Sequence, residues 1–406
     1  MLRIAVIGGG PAGLFAAIRA AKRGARVSII EKMKSPGRKL LISGSGQCNL
    51  SHAGEIEYFL SRYGEAGRFL RPALFHFSPR DLLRFFEDRG VSFETEEGGK
   101  IFPKSRRARD ILQVLLREIE GLNVQLLTAS PVSSVGHGPD GFTLTTSMQQ
   151  TGSWDRVIIA AGGASYPATG SDGSGFSLAA QLGHSIVEPR PALTDVAICS
   201  FRMKELAGIS IKGCCVLHFR GDKLLARLSG DLLITHTGFS GPVIMDASRN
   251  IRCGDTLVPD FGGLGSGTAD ALRCFAEKNG KKQIKSVSRL LACPEALLEQ
   301  LLSTAGIEGG IRLGELSREK RRHLAETIAG SRYTVASTGD FRDARVTAGG
   351  VDRREINPKN MESRILPGLF FAGEVMDIDG DTGGFNLQAA FSTGALAGDN
   401  SDLKDQ

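Results

Sequence analysis

The chain has 406 residues, enough for two or three domains, and 41% of them are hydrophobic, enough for ordinary cores. No apolar run approaches the length of a membrane span, and Gly8 and Pro11 interrupt the apolar N-terminus, so it reads as a first strand and not as a signal peptide. The formal charge of +6 is compatible with an anionic partner, and seven cysteines without a C-x-x-C pair suggest neither a metal site nor a disulfide framework, which fits a reducing cytoplasm.

Leu2 to Ile7 is a short apolar run of the kind that forms a buried parallel strand. Gly8-Gly9-Gly10-Pro11-Ala12-Gly13 follows at once and fits G-x-G-x-x-G. Leu14 to Arg23 then reads as a helix with Leu14, Ala17, Ile18 and Ala21 on one stripe, stopped by Gly24, and Val27 to Ile30 is a second strand ending at Glu31. In such a unit Gly8 makes the tight turn, Gly10 lets the backbone approach a pyrophosphate, and Gly13 lets helix and strand pack closely. The helix start at Pro11 and Ala12 turns free N–H groups toward the phosphates. Glu31 lies 18 residues past Gly13, near the spacing of about 20 for the acid that binds a ribose hydroxyl. Strand, glycines, helix, strand and acid stand in order, so the stretch predicts a dinucleotide site.

Beyond the acid, Lys32 is a further cofactor contact, and Arg38 and Lys39 are placed to neutralise a pyrophosphate. Ser43 to Asn49, with Gly44 and Cys48, is a loop of small and polar residues that can press against a flat ring. Residues 55 to 125 read as mostly helical, with Ser78 capping a helix that starts at Pro79. The basic cluster 104–109 reads as a solvated face or, alternatively, a phosphate-contacting patch. Val124 to Leu127 and Thr143 to Thr145 read as strands, and Arg156 to Ala160 as another buried strand running into Ala161-Gly162-Gly163, where glycines again admit a ligand at the sheet edge. Neither Gly170–Gly175 nor Gly262–Gly267 is flanked as a second fingerprint, which leaves one nucleotide site and no separate nicotinamide domain.

From about Arg190 the texture changes. Val196–Phe201, Cys214–Phe219, Lys223–Leu228 and Asp231–Thr235 are short β-like runs that suggest a small barrel or sandwich. Gly262–Gly267 reads as a flexible connection, and Glu295–Leu302 and Arg318–Ala329 read as helices, the latter with a basic cluster at 318–322. The expected division is 1–190 and 336–406 for a nucleotide-binding domain, with 191–255 (β) and 256–335 (helical) inserted. Near the C-terminus, Gly368 to Glu374 is an apolar strand ending in Gly373 and an acid, Gly380 to Asn386 is a tight loop, and Leu387 to Ala397 is a helix of small residues. The N-terminus of that helix would face developing negative charge on a flavin ring.

Six stretches carry a resemblance: GGGPAGL (8–14), GRKLLISGSGQCN (37–49), AGGASYPATGSDGSG (161–175), THTGFSGP (235–242), RVTAGGV (345–351) and GLFFAGEVMDIDGDTGGFN (368–386). Over nearly the whole chain it resembles the NAD(P)/FAD-dependent oxidoreductase family named for BaiN and RdsA. The resemblance implies an α/β fold: a Rossmann-like FAD-binding domain of the glutathione-reductase type, split by an inserted small β-barrel and a helical part. It implies that Glu31 binds the adenosine ribose, that Val132 lies near the adenine and that Glu374 holds the ribityl chain. Gly383, Gly384, Phe385 and Asn386 then sit by the flavin ring, flanked by Asp381 and Leu387. The family usually has Gly-Gly-Gly-Arg-Cys-Asn where this chain has Gly44 to Asn49, and Asn where His52 stands; Gln47 removes a positive charge beside the loop, which bears on substrate identity.

One branch of the family reduces a carbon–carbon double bond next to a carbonyl in bile-acid intermediates. Another makes dihydrouridine in ribosomal RNA, and others are described as aminoacetone oxidases. The expectation is an FAD-dependent reductase passing hydride from flavin N5 to an enone-type carbon, with uridine of 23S ribosomal RNA as substrate, NAD(P)H as transient electron donor and the clusters 104–109 and 318–322 facing the RNA. No membrane and no metal enter this reading. A small-molecule enone reductase or amine oxidase, and a non-catalytic RNA-binding flavoprotein, are the alternatives. Cys48 is the first candidate proton donor, with Tyr166 and His236 as alternatives.

Overall fold

Five short apolar runs make the central sheet. In the computed structural model, which describes residues 1–146, 150–291 and 293–402, these are β1 (Arg3–Ile7), β2 (Arg26–Ile30), β3 (Gln125–Leu127), β4 (Arg156–Ile159) and β5 (Leu369–Phe371). They lie in the order β5-β4-β1-β2-β3, and every neighbouring pair is parallel. Strands buried on both faces need no polar alternation, which is why they read as continuous Ile/Val/Leu/Phe runs. Two helices, α1 (Pro11–Lys22) and α2 (Phe385–Asn400), pack on each other. The approach is close because α2 offers glycines: a Cβ on Gly394 would lie 2.5 Å from Ala12 O, and one on Gly398 2.4 Å from Ala16 O.

The chain forms two compact units, Met1–Ala192 with Phe341–Gln406, and Leu193–Asp340. Each has its own apolar core. The second contains a closed barrel whose strands follow the order Val196–Ile198, Gly238–Ser240, Lys223–Ile234, Ser210–Arg220, Thr256–Asp260 and Tyr333–Thr338. Its core continues into the helices Thr268–Asn279, Glu295–Thr304 and Arg318–Ala329.

Several expectations are corrected. Residues 55–125 are mostly helical, as expected, but they also contain a hairpin that the sequence reading lacks: Phe93–Thr95 and Lys100–Pro103, turned at Gly99 (φ +82°), which Ser51–His52 extends to three strands. The runs 223–228 and 231–235 belong to one strand, Lys223–Ile234, because its partner strand absorbs the irregularity as register shifts. The glycine run 262–267 is not a free connection: Asp260 accepts hydrogen bonds from the N–H groups of Gly262, Gly263 and Gly265 at 3.1, 3.0 and 2.6 Å. Among the described residues no helix is long and apolar enough to cross a membrane, and no cluster of three or more His, Cys, Asp or Glu is arranged to hold a metal ion.

Candidate functional site

The parallel register brings Gly8, Glu31, Ala160 and Ala372 side by side at the carboxyl ends of β1, β2, β4 and β5. Here the glycines of the first loop divide by role. Gly8 (φ +108°) lies against β4, where a Cβ would be 2.4 Å from Ala160 O, and a Cβ on Gly13 would be 2.0 Å from Gly8 O. At Gly10 a Cβ would meet nothing within 4 Å. Two glycines therefore serve packing and the middle one faces free space, as a pyrophosphate needs. Helix α1 starts there with Gly10 as N-cap, Pro11 in the first turn and no side-chain cap, so the Ala12 and Gly13 N–H groups are free for an anion.

Glu31 is buried beside this loop. Its carboxylate accepts from Gly9 N at 2.6 Å and from Met33 N at 2.7 Å, leaving lone pairs for a ribose hydroxyl. The backbone of Glu31 and Met33 also holds Ser130 and Ala129, two and three residues before the half-buried Val132. Lys32 is ion-paired to Asp172 and donates to Ser174 Oγ at 3.1 Å. Past β4, Ala161 and Gly162 are half-buried, and a Cβ on Gly162 would lie 3.1 Å from Ser171 Oγ, a buried hydroxyl with no partner among the described residues.

Arg38 is exposed and has no ion-pair partner among the described residues, so its charge is available to a phosphate. Lys39 is engaged otherwise: its ammonium donates to Glu374 at 2.7 Å and to Ser165 Oγ at 2.6 Å. Glu374 also accepts from Thr347 N at 2.7 Å and Ser165 Oγ at 3.0 Å, and Thr347 Oγ1 accepts from Ala164 N at 2.8 Å. Gly373 (φ +74°), tied by its N–H to Thr393 Oγ1 at 3.0 Å, sets the turn that presents Glu374. Ser165, Thr347 and Arg345 are the residues that sequence reading left out of the site. Their close packing shows at Gly163, where a Cβ would fall 2.4 Å from Thr347 Oγ1.

The loop 43–49 runs through left-handed backbone at Gly44, Ser45, Gly46 and Cys48. Ser43 O accepts from Cys48 N at 2.9 Å. Asn49 ties this loop to the C-terminal helix: its side chain accepts from Gly384 N at 3.2 Å and donates to Ser51 O at 3.0 Å. Gly383 and Gly384 lead into α2, which has no side-chain cap, so the N–H groups of Phe385, Asn386 and Leu387 are free. Phe385 is buried and stacked on His52 at 5.0 Å, while Asn386 closes the Gly380–Asp381 turn, accepting from Gly380 N at 2.8 Å. Asp381 is ion-paired to Arg62 at 3.6 Å.

The three proton-donor candidates are placed very differently. Cys48 is 0% exposed, and burial pushes its thiol up to about 12, with a bond to Ser43 opposing that only in part. A side chain with no free surface touches no ligand, so the expected acid role of Cys48 does not fit this conformation. Tyr166 is half-buried, next to Ser165, and its hydroxyl accepts from Arg345 Nη1 at 2.6 Å. His236 is exposed in the barrel turn between Lys223–Ile234 and Gly238–Ser240. The basic cluster 104–109 lies on a solvated face, with Lys104, Arg107 and Arg109 exposed; Arg106 is paired with Glu94 and Glu96, lies over Phe102 and donates to Gln47 at 3.1 Å, and Arg107 is paired with Asp110 at 3.3 Å.

A buried acid at the second strand, an open glycine under an uncapped helix, an unpartnered buried hydroxyl and a second uncapped helix across the sheet edge all fit FAD. The fold is that of a Rossmann-type FAD-binding flavoprotein, and its class is the FAD-dependent oxidoreductases. More particularly, the chain belongs to the family described as HI0933-like protein Rossmann domain, whose model matches residues 2–400. It is 32% identical over 416 residues to the 3-dehydro-bile acid delta(4,6)-reductase of Clostridium scindens, with 98% of each chain covered. It is 31% identical over 404 residues to the ribosomal RNA dihydrouridine synthase of Escherichia coli, covering 96% of this chain and 95% of that one. Among solved structures, a 3-ketosteroid-delta4-(5alpha)-dehydrogenase from Rhodococcus jostii shares the fold, with a TM-score of 0.50 and 16% identity over 99% of this chain and 97% of that one.

Proposed function

We propose that the protein reduces a carbon–carbon double bond conjugated to a carbonyl, and that its substrate is uridine in ribosomal RNA. The observation that carries this reading is the end-to-end likeness to a ribosomal RNA dihydrouridine synthase and to an enone-type reductase, two activities with one chemistry. Bound FAD supplies the hydride in that chemistry, and NAD(P)H is the proposed source of electrons.

The chain's own residues then have separable tasks. Glu31, Gly10 and the start of α1 hold the dinucleotide end, with Arg38, unpaired among the described residues, as a cation for its phosphates. The Lys39–Glu374–Ser165 network orients the ribityl side. The uncapped start of α2 stabilises negative charge that develops near it. A carbon that receives hydride needs a proton delivered to its neighbour, and Tyr166 is the proposed donor, its hydroxyl held by Arg345. Cys48 keeps a structural task in the 43–49 loop. An RNA substrate places the enzyme in the cytoplasm.

Nucleoside mass spectrometry of ribosomal RNA from cells with and without the gene tests the reading. The expected result is loss of dihydrouridine on deletion and its return with the wild-type gene. Unchanged dihydrouridine would overturn the RNA substrate and move the search to small-molecule enones.

A further inference from the structure

Six cations meet at one end of the helical part of the Leu193–Asp340 unit. Gly280 and Gly314 are in backbone contact there: Gly314 N donates to Gly280 O at 2.9 Å, and Leu313 N to Lys282 O at 2.9 Å. Lys278, Lys281 and Lys282 lie within two residues of Gly280. Four residues beyond Gly314 the helix Arg318–Ala329 begins, with Arg318, Lys320 and Arg321 in its first turn or just past it. By chain reach the six Cα atoms fall within a span of at most about 30 Å.

All but Arg321 are exposed, Arg321 is half-exposed, and none of the six has an ion-pair partner among the described residues. Three other cations of the same subdomain are paired, Arg273 with Glu277 at 3.2 Å, Lys285 with Glu299, and Arg322 with Glu326 at 3.6 Å, whereas Arg289 and Arg312 have no ion pair among the described residues. Arg318, Lys320 and Arg321 also stand at the positive end of their helix, where a cation opposes the dipole. Glu319 in the same first turn and Glu315 just before it offset part of this charge without pairing with any of the six among the described residues, and the positive excess that remains suits a separate anion. They do not converge on a buried pocket, so the anion they match is extended and repeating.

We infer that this end of the inserted unit docks the phosphate backbone of folded ribosomal RNA. The inference rests on the RNA reading above and deepens it: substrate capture is assigned to the inserted unit, away from the FAD residues in sequence.

The test measures retention of protein-free large-subunit ribosomal RNA by the FAD-loaded full chain as a function of salt. In a K281Q/K282Q/R318Q/K320Q/R321Q variant, the slope of log affinity against log salt should fall by about 0.7–0.9 per phosphate contact removed, with binding at moderate salt weakened about tenfold or more. FAD content and melting temperature should match wild type. A control variant, R273Q/K285Q, removes cations already paired with acids and should change the slope far less. If the fivefold variant keeps the wild-type slope and affinity while deletion of the gene still abolishes dihydrouridine, the docking assignment is overturned and the RNA reading stands. If the wild-type protein shows no salt-dependent RNA binding and dihydrouridine is independent of the gene, the RNA reading fails and the docking surface falls with it.

Discussion

Tyr166 stands at φ +56°, a left-handed conformation that a bulky residue adopts only when its surroundings hold it there. Its N–H donates to Phe341 O at 2.8 Å, its hydroxyl accepts from Arg345, and Pro167 follows it. These contacts hold the phenol against Arg345. Cys48 has the same backbone strain, φ +62°, but a sealed side chain. The two residues therefore separate chemistry from structure. Tyr166→Phe should lower turnover by about 10²–10⁴-fold, the range for loss of a general acid, while FAD remains bound. Cys48→Ala should remove a small buried group, lowering stability by about 1 kcal/mol, with turnover near wild type. Single-turnover kinetics and FAD absorbance check both, and a large loss of turnover in Cys48→Ala with normal Tyr166→Phe would reverse the assignment. The residues that sequence reading places correctly beside each other, Gly8, Gly13 and Glu31, belong to one short local unit. Ser165 and Thr347 were not legible because their bond joins residues 182 apart.

At the level of elements, the barrel depends on one buried carboxylate. Asp255, 2% exposed, accepts from His218 Nε2 at 2.7 Å and Arg252 N at 2.9 Å, and takes a two-pronged contact from Arg220 at 2.8 and 2.9 Å. Burial alone would raise its pKa, but Arg220 first and then His218 outweigh that and hold the carboxyl well below the usual carboxylate range. The folded value lies below the unfolded one, so the stabilisation is complete above the unfolded pKa of about 3.9 and fades as pH falls below it. Asp255→Asn should destabilise the protein by about 3–5 kcal/mol at neutral pH, the cost of breaking a buried pair. It should also flatten the loss of stability below about pH 4, which urea melts at pH 7, 5 and 3.5 would show. A variant as stable as wild type at pH 7 would sink this account. The barrel was only half legible for a related reason. Gly238–Ser240 is three residues long and becomes a strand because Leu233, Ile234, Val196 and Ala197 pair with it, information no local window contains. By contrast Pro79–Glu87 carries its own cap, a reciprocal Ser78–Asp81 box, and was readable from sequence.

For the molecule as a whole, the question is whether cofactor binding and the inserted unit are separable. Every residue assigned here to FAD lies in Met1–Ala192 or Phe341–Gln406. Within that unit Ala192 pairs directly with Val346, so the chain leaves and re-enters on adjacent strands. Within the other unit Asp195 O accepts from Gly339 N at 3.2 Å, so its two ends also meet. Adjacent entry and exit are the geometry in which an insertion can be removed without pulling its host apart. Replacing residues 194–339 by a short Gly-Ser linker should therefore leave a yellow protein with one FAD per chain and a cooperative melt, retaining the core of β1 to β5, α1 and α2. It should lose RNA binding, and with it turnover on ribosomal RNA, because the unpaired cations of 278–282 and 318–321 go with the insertion. A deletion that folds, judged by far-ultraviolet circular dichroism, yet retains no FAD would mean the inserted unit completes the cofactor site. A deletion that retains FAD and still binds RNA with the wild-type salt dependence would place RNA capture on the first unit, where the remaining candidates are the partly neutralised cations of 104–109.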